Sequence, residues 1–223
     1  MMIPARVSPI ALRTLQLFQG LPEETIQDLA RLATMKSVPR HHAIIRAGER
    51  TDYLYFVLTG SLKVISSDEE GREVILNILG QGELFGEMGI FNEQPRSASV
   101  VSIVPTDLIL LAKNDVRTLM QQNFEIAWRM MANLADRLRS ADRRIESLAL
   151  MDVYGRVARV LIETSGEVDG QTLLASRISK QDIAKMVGAS REMVSRVMKD
   201  LTARGLIEET ASGIVLREGL TGS

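Results

Sequence analysis

The stretch AWRMMANLADRLRSADRRIESL, residues 127–148, decides how this chain is assembled. Its apolar residues fall at Ala127, Met131, Leu134, Leu138, Ala141, Ile145 and Leu148, in alternating four- and three-residue steps. That spacing is a heptad seam, with Met131, Leu138 and Ile145 at a and the other four at d. The remaining faces carry Asp136, Arg137, Arg139, Asp142, Arg143, Arg144 and Glu146, so the helix is polar except along one stripe. At 1.5 Å per residue the seam is roughly 30 Å long. A stripe this narrow suits another helix better than the wide face of a sheet, and the expectation is a parallel two-helix homodimer. The alternative is an amphipathic helix packed on its own domain.

The composition sets bounds around that helix. With 223 residues, 45% hydrophobic and 25% charged, the chain can form two small domains with real cores. Apolar runs such as 108–112 are far short of the roughly 20 residues of a membrane span, and the N-terminus lacks a signal-peptide core. A cytoplasmic protein with no membrane partner is expected. The absence of cysteine excludes disulfides, thiolate zinc sites and cysteine-ligated iron–sulfur clusters. A net charge of −1 exerts no general pull on nucleic acid, so any DNA binding has to come from a local patch.

Upstream of the seam, Leu12 to Ala33 reads as helical, with Pro22 in a first helical position. Short strands follow at Tyr53 to Leu58, Leu62 to Ser66, Val74 to Leu79, Ser99 to Val104 and Asp107 to Leu111. Turn signals at Ala47-Gly48-Glu49, Thr59-Gly60, Asp68 to Gly71, Gly80-Gln81-Gly82 and Pro105 separate them, which predicts an antiparallel sandwich or barrel. Asn114 is expected to cap a helix leading into the seam. Downstream, Val153 to Thr164 reads as a helix, followed by a loop holding Gly166 and Gly170. Ser179-Lys180-Gln181-Asp182 forms a capping box for a helix ending at Gly188, and Ser190 caps another that runs to about Ala203. Leu206-Ile207 and Gly213 to Leu216 make a small hairpin, completing a winged helix-turn-helix.

In that motif Ile183, Ala184, Val187, Val194 and Val197 face inward, leaving Arg191, Glu192, Ser195, Arg196 and Lys199 outward. Arginine donates two bonds to guanine O6 and N7, and glutamate accepts from cytosine N4. Lys180, Lys185 and Lys199 would hold phosphates, which position the protein without specifying a sequence. The second informative segment runs from Gly82 to Val100. Its glycines let backbone approach a ligand, a short helix near Glu87 would aim N–H groups at an anion, and Arg96 supplies a fixed positive charge. Arginine and hydroxyl for a phosphate, with a carboxylate for a ribose 2′-OH, is the mixture a nucleotide requires.

These segments together resemble the cyclic-AMP receptor protein/FNR (CRP/FNR) family of bacterial transcription regulators over nearly the full length. Phe85 to Val100 is similar to the family's phosphate-binding cassette, Leu148 to Arg156 to its interdomain hinge, and Ser190 to Arg196 to its recognition helix. The resemblance implies an α+β fold with three parts. These are a jelly-roll-like cyclic-nucleotide-binding β-roll over residues 1–113, connecting and dimerisation helices over 114–150, and a winged helix-turn-helix over 151–223. It implies that Gly86 and Glu87 contact a ribose, that Arg96 and Ser97 hold a cyclic phosphate, and that Arg191, Glu192 and Arg196 read a TGTGA half-site. Double-stranded DNA, a cyclic nucleotide, a second copy and RNA polymerase are the implied partners. Where cyclic-AMP receptors place Thr followed by Ser or Asn on the long helix, this chain has Ala141 and Asp142. Asp142 can accept from either purine, so the resemblance supports a cyclic nucleotide more than it supports cyclic AMP; since some members of the family respond to cyclic di-GMP, it implies cyclic AMP or cyclic di-GMP as the effector.

An enzyme is not expected, since no nucleophile–base pair or metal-ligand spacing is present. The adjacent His41 and His42 offer only a poor haem reading. Two rivals remain: a nucleotide-binding regulatory subunit acting on a protein partner, and a DNA-binding regulator that senses no nucleotide.

Overall fold

The computed structural model of the chain describes residues 7–50, 52–168, 171–175, 178–210 and 213–221. It forms two compact units, the first reaching residue 66 and resuming over 77–138, the second comprising 67–76 and the chain from 139 onward.

The first unit opens with α1 (Pro9–Arg13), a 3₁₀ turn at Gln16–Phe18 and α2 (Glu23–Leu32). The predicted continuous helix over 12–33 is therefore broken. Gly20 takes a left-handed φ of 71°, and Pro22 sits at the N-cap of α2 rather than at its first helical position. Eight strands follow: β1 (Thr34–Val38), β2 (Ala43–Ile45), β3 (Tyr53–Thr59), β4 (Leu62–Ser67), β5 (Glu73–Leu79), β6 (Leu84–Phe85), β7 (Ser99–Ser102) and β8 (Thr106–Ala112). They form two four-stranded sheets, ordered β1-β8-β3-β6 and β2-β7-β4-β5. The sequence reading missed β1, β2 and β6, three of the shorter strands. α3 (Met88–Asn92) lies between β6 and β7.

Strand β3 shows why this is a roll with helices on one side. Leu54 and Phe56 join a core with Leu12, Phe18, Ile26 and Leu29 from the N-terminal helices. Tyr55 and Val57, on the opposite face, join a core with Val38, Ile45, Leu62, Leu79 and Val100. A strand buried on both faces loses polar alternation, so YLYFVL reads as one apolar run. α4 (Lys113–Gln122) begins two residues before the predicted start. Ala112 stands at its N-cap with no side-chain cap bond, so Asn114 is not the cap. Asn123 separates α4 from α5 (Phe124–Leu150). Ile126 and Met130 of α5 enter the helix-side core, and Arg129 donates to the carbonyls of Leu17 and Gln19.

In the second unit α6 (Val153–Thr164) starts at an Asp152 N-cap, whose carboxylate accepts from Gly155 N at 2.8 Å. The predicted loop after it holds a hairpin instead, β9 (Gly166–Val168) and β10 (Gln171–Ala175); Gly170 lies outside the described residues. α7 (Lys180–Val187) has the predicted Ser179–Asp182 capping box and ends at Gly188 with φ 65°. α8 (Arg191–Ala203) follows, capped by Ser190. β11 (Ile207–Thr210), β12 (Gly213–Leu216) and α9 (Glu218–Thr221) close the chain's described part, and the sheet runs β11-β12-β10-β9. Val157, Leu161, Ile183, Val187, Val194, Met198 and Leu201 form the core beneath the two helices of the motif.

Candidate functional site

Strand β6 pairs with β3 through Tyr55↔Phe85 and Phe56↔Leu84, and ends at Gly86 with a left-handed φ of 83°. A Cβ there would stand 2.5 Å from Arg96 Nη1, so both the turn and the close approach require glycine. Glu87 follows at the N-cap of α3 and is 1% exposed. Its Oε1 accepts from Arg137 Nη1 at 2.9 Å, and Arg137 Nη2 also donates to the Leu84 carbonyl. Its Oε2 is buried without a hydrogen-bond partner. A buried carboxylate oxygen in that condition is costly, and a hydroxyl donor would satisfy it.

Arg96 is 8% exposed. Nη1 donates to the Gly86 carbonyl at 2.7 Å and Nη2 to the Tyr53 carbonyl at 2.8 Å. Its own N–H donates to the Glu49 carbonyl. The guanidinium lies 5.6 Å from the Tyr55 ring centroid, and that ring stacks on Phe85 at 4.9 Å with planes 13° apart. Burial pushes the Arg96 pKa down and the Tyr55 phenol up, while each partner's charge opposes the shift. Arginine still stays protonated, and three of its five N–H donors remain for an anion after the two carbonyl bonds. Ser97 is exposed, with the Met88 sulfur 3.9 Å from its hydroxyl. The predicted helix near Glu87 is only five residues long, so the arginine rather than a helix dipole supplies the positive field.

Arg137 is the site residue that sequence reading missed, because the heptad assignment puts it on a wet face of the seam helix. The pattern that reveals it is a second stripe one residue before the seam. Ile126, Met130, Asn133, Arg137, Ser140, Arg144 and Ser147 are all buried or half-buried. The seam itself points elsewhere: Ala127 and Leu134 are half-buried, and Met131, Leu138, Ala141, Ile145 and Leu148 are exposed. Asp142 is exposed beside them. The chain thus uses one stripe of α5 for itself and leaves the heptad stripe open.

On α8, Val194 and Met198 are fully buried, and Val197 is half-buried. Arg191, Glu192, Arg196 and Lys199 are exposed, Ser195 is half-buried, and the five line one shallow depression. Its own backbone N–H, with the Ser190 hydroxyl and Arg191, holds the Glu192 carboxyl below the usual range. Lys180, at the first position of α7, lies with Nζ 2.7 Å from Glu209 Oε1 on β11.

Residues 35–123 match the cyclic nucleotide-binding domain, and residues 155–220 match the Crp-like helix-turn-helix domain. The chain is 38% identical to the cAMP-activated global transcriptional regulator Vfr of Pseudomonas aeruginosa over 180 residues, 78% of this chain and 84% of Vfr. It belongs to the CRP/FNR family of transcription regulators. Among solved structures it is similar to the c-di-GMP-responsive global regulator CLP of Xanthomonas campestris, at TM-score 0.72 and 30% identity over 87% of this chain and 99% of CLP. It is also similar to FixK2 of Bradyrhizobium japonicum, at TM-score 0.76 and 26% identity over 86% and 98%. The relatives are regulators and not enzymes, and this chain is one of them, with a nucleotide-binding domain and a DNA-binding helix-turn-helix. No described helix is long and apolar enough to cross a membrane.

Proposed function

We propose that the chain is a dimeric transcription regulator whose hold on palindromic, TGTGA-like DNA is gated by a cyclic nucleotide, cyclic AMP or cyclic di-GMP. In this reading residues 1–113 sense, 114–150 connect and dimerise, and 151–223 bind DNA. The observation that carries it is the Glu87 carboxylate. One oxygen is free for a ribose hydroxyl, and the other holds Arg137 of the helix that bears the seam. A nucleotide bound between Glu87 and the Arg96–Ser97 pair therefore bears on α5 through Arg137. A ligand moves such an equilibrium only by its differential affinity for the two arrangements. By reciprocity, operator DNA then tightens nucleotide binding by the same factor.

Arg191, Glu192, Ser195 and Arg196 read the half-site, and Lys180 and Lys199 take phosphates. Two-fold symmetry sets the half-sites about one helical turn apart, a spacing general to helix-turn-helix dimers, those of this family included. RNA polymerase is the protein partner this role calls for.

Calorimetry against cyclic AMP, cyclic GMP and cyclic di-GMP selects the effector, and operator affinity is then measured with and without it. Arg96→Ala should abolish nucleotide binding while random-DNA affinity stays intact, since Arg96 is far in sequence from α8 and belongs to the other compact unit. Wild-type operator affinity unchanged by all three nucleotides sinks the gating. The seam has its own test, because it would otherwise leave an apolar stripe in water. Leu134→Asp with Leu138→Asp should give monomers in sedimentation, and a dimer persisting at micromolar concentration shows the seam misassigned.

A further inference from the structure

The strand β11 differs in charge from the exposed face of α8. Its residues are Ile207, Glu208, Glu209 and Thr210, so its only charges are two exposed carboxylates. Glu208 is paired with Arg217. Glu209 reaches across to the first position of α7 and holds Lys180, Oε1 to Nζ at 2.7 Å. The same helix start carries Asp182, whose carboxylate accepts from the Ser179 hydroxyl at 2.6 Å within the capping box. The end of α7 where a helix-turn-helix meets the DNA backbone is thus already faced by two carboxylates.

We propose that Glu209 sets the protein's affinity for DNA by holding Lys180 in an ion pair that a backbone phosphate must displace. This rests on the reading of Lys180 as a phosphate contact. The Lys180 and Glu209 side chains are 36% and 49% exposed, and a pair of that exposure contributes little to folding. It is therefore easily opened, and its consequence falls on DNA binding. When Lys180 turns to a phosphate, Glu209 is left without that partner and close to the incoming negative charge. Within the roughly 8 Å screening length at physiological salt, such repulsion is felt. A lysine neutralised in the free protein also recruits less counterion release than a free one, which flattens the salt dependence. Phosphates carry no sequence information, so the restraint acts alike on operator and random DNA.

Glu209→Gln keeps the side chain's shape and removes its charge. Binding is followed by fluorescence anisotropy on a duplex with TGTGA-like half-sites and on a scrambled duplex, over a salt series, with circular dichroism checking the fold. Glu209→Gln should tighten both duplexes by a similar factor, about three- to tenfold, and steepen the salt slope by up to about 0.9. Glu208→Gln should do less, since that carboxylate pairs with Arg217. In a Lys180→Gln background the gain from Glu209→Gln should largely vanish, the non-additivity expected of a contacting pair. Unchanged or weakened binding by Glu209→Gln overturns the proposal, as does an equal gain with Lys180 already removed. If Lys180→Gln alone leaves DNA binding unchanged, the phosphate reading of Lys180 fails instead.

Discussion

Glu87 and Arg96 are 1% and 8% exposed, whereas Arg191, Glu192, Arg196 and Lys199 stand in solvent. Both sets are charged groups proposed to bind ligands, but they are held in opposite ways. The candidate nucleotide site is cross-braced: Arg96 is tied to the carbonyls of Gly86 and Tyr53, and Glu87 to Arg137 fifty residues away. On α8 the helix itself does the positioning, through its Ser190 cap and the buried Val194, Met198 and Leu201. A buried charge needs partners to exist at all, so its ligand site is built into the fold. Charges in water need only a rigid support. The difference predicts that mutations at the first site cost stability and binding together, while mutations at the second cost binding alone.

Arg137→Ala is the strongest test of that contrast. It strips the remaining partner from a buried carboxylate and also removes the donor to the Leu84 carbonyl. Breaking a buried pair costs about 3–5 kcal/mol; Arg137 is a third exposed, so water softens the loss toward the low end, about 3 kcal/mol. Denaturant unfolding should show it, and Glu87→Gln with Arg137→Ala should cost less than the two single losses added. A change of only a few tenths would mean that Glu87 does not depend on Arg137, and the cross-braced description fails.

The same contrast explains what was legible in the sequence. The α8 site is local: Ser190 caps it, i to i+4 spacing separates its faces, and both Arg191 and Arg196 can be assigned from one helix. Gly86, Glu87 and Arg96 lie within eleven residues and are legible as a segment, but their geometry is not. That Arg96 commits two donors to carbonyls, one of them from Tyr53, follows only from strand pairing that brings β3 beside β6. Arg137 is hidden by the seam next to it, since an apolar heptad is a stronger periodic signal than a mixed polar stripe. The broken helix before β1 and the hairpin at 166–175 were lost for a simpler reason. Segments of three to five residues are too short for periodicity to outweigh a local glycine or proline.

The exposed site supplies the smaller effects. Arg191→Ala should leave stability within about 0.5 kcal/mol, because its side chain is exposed. On operator DNA it should cost roughly 1–3 kcal/mol and relax the preference at one guanine, as loss of a bidentate contact does. Equal losses on operator and scrambled duplexes would count against base reading by Arg191.

Lys199→Ala should produce the smallest effect and the least selective one. The residue is exposed on α8 two turns beyond Arg191, and in the proposed reading it meets a phosphate rather than a base edge. A lysine is a point charge without the planar fork that distinguishes guanine, and its contribution to a phosphate contact is counterion release. Removing it should weaken operator and scrambled duplexes by the same factor and lower the salt slope by about one. Stability should again move by less than about 0.5 kcal/mol. The measurement is a salt titration of both duplexes, compared with Arg191→Ala under the same conditions. A loss confined to the operator would place Lys199 among the base-reading groups. The division of α8 into a reading start and an anchoring end would then have to be redrawn.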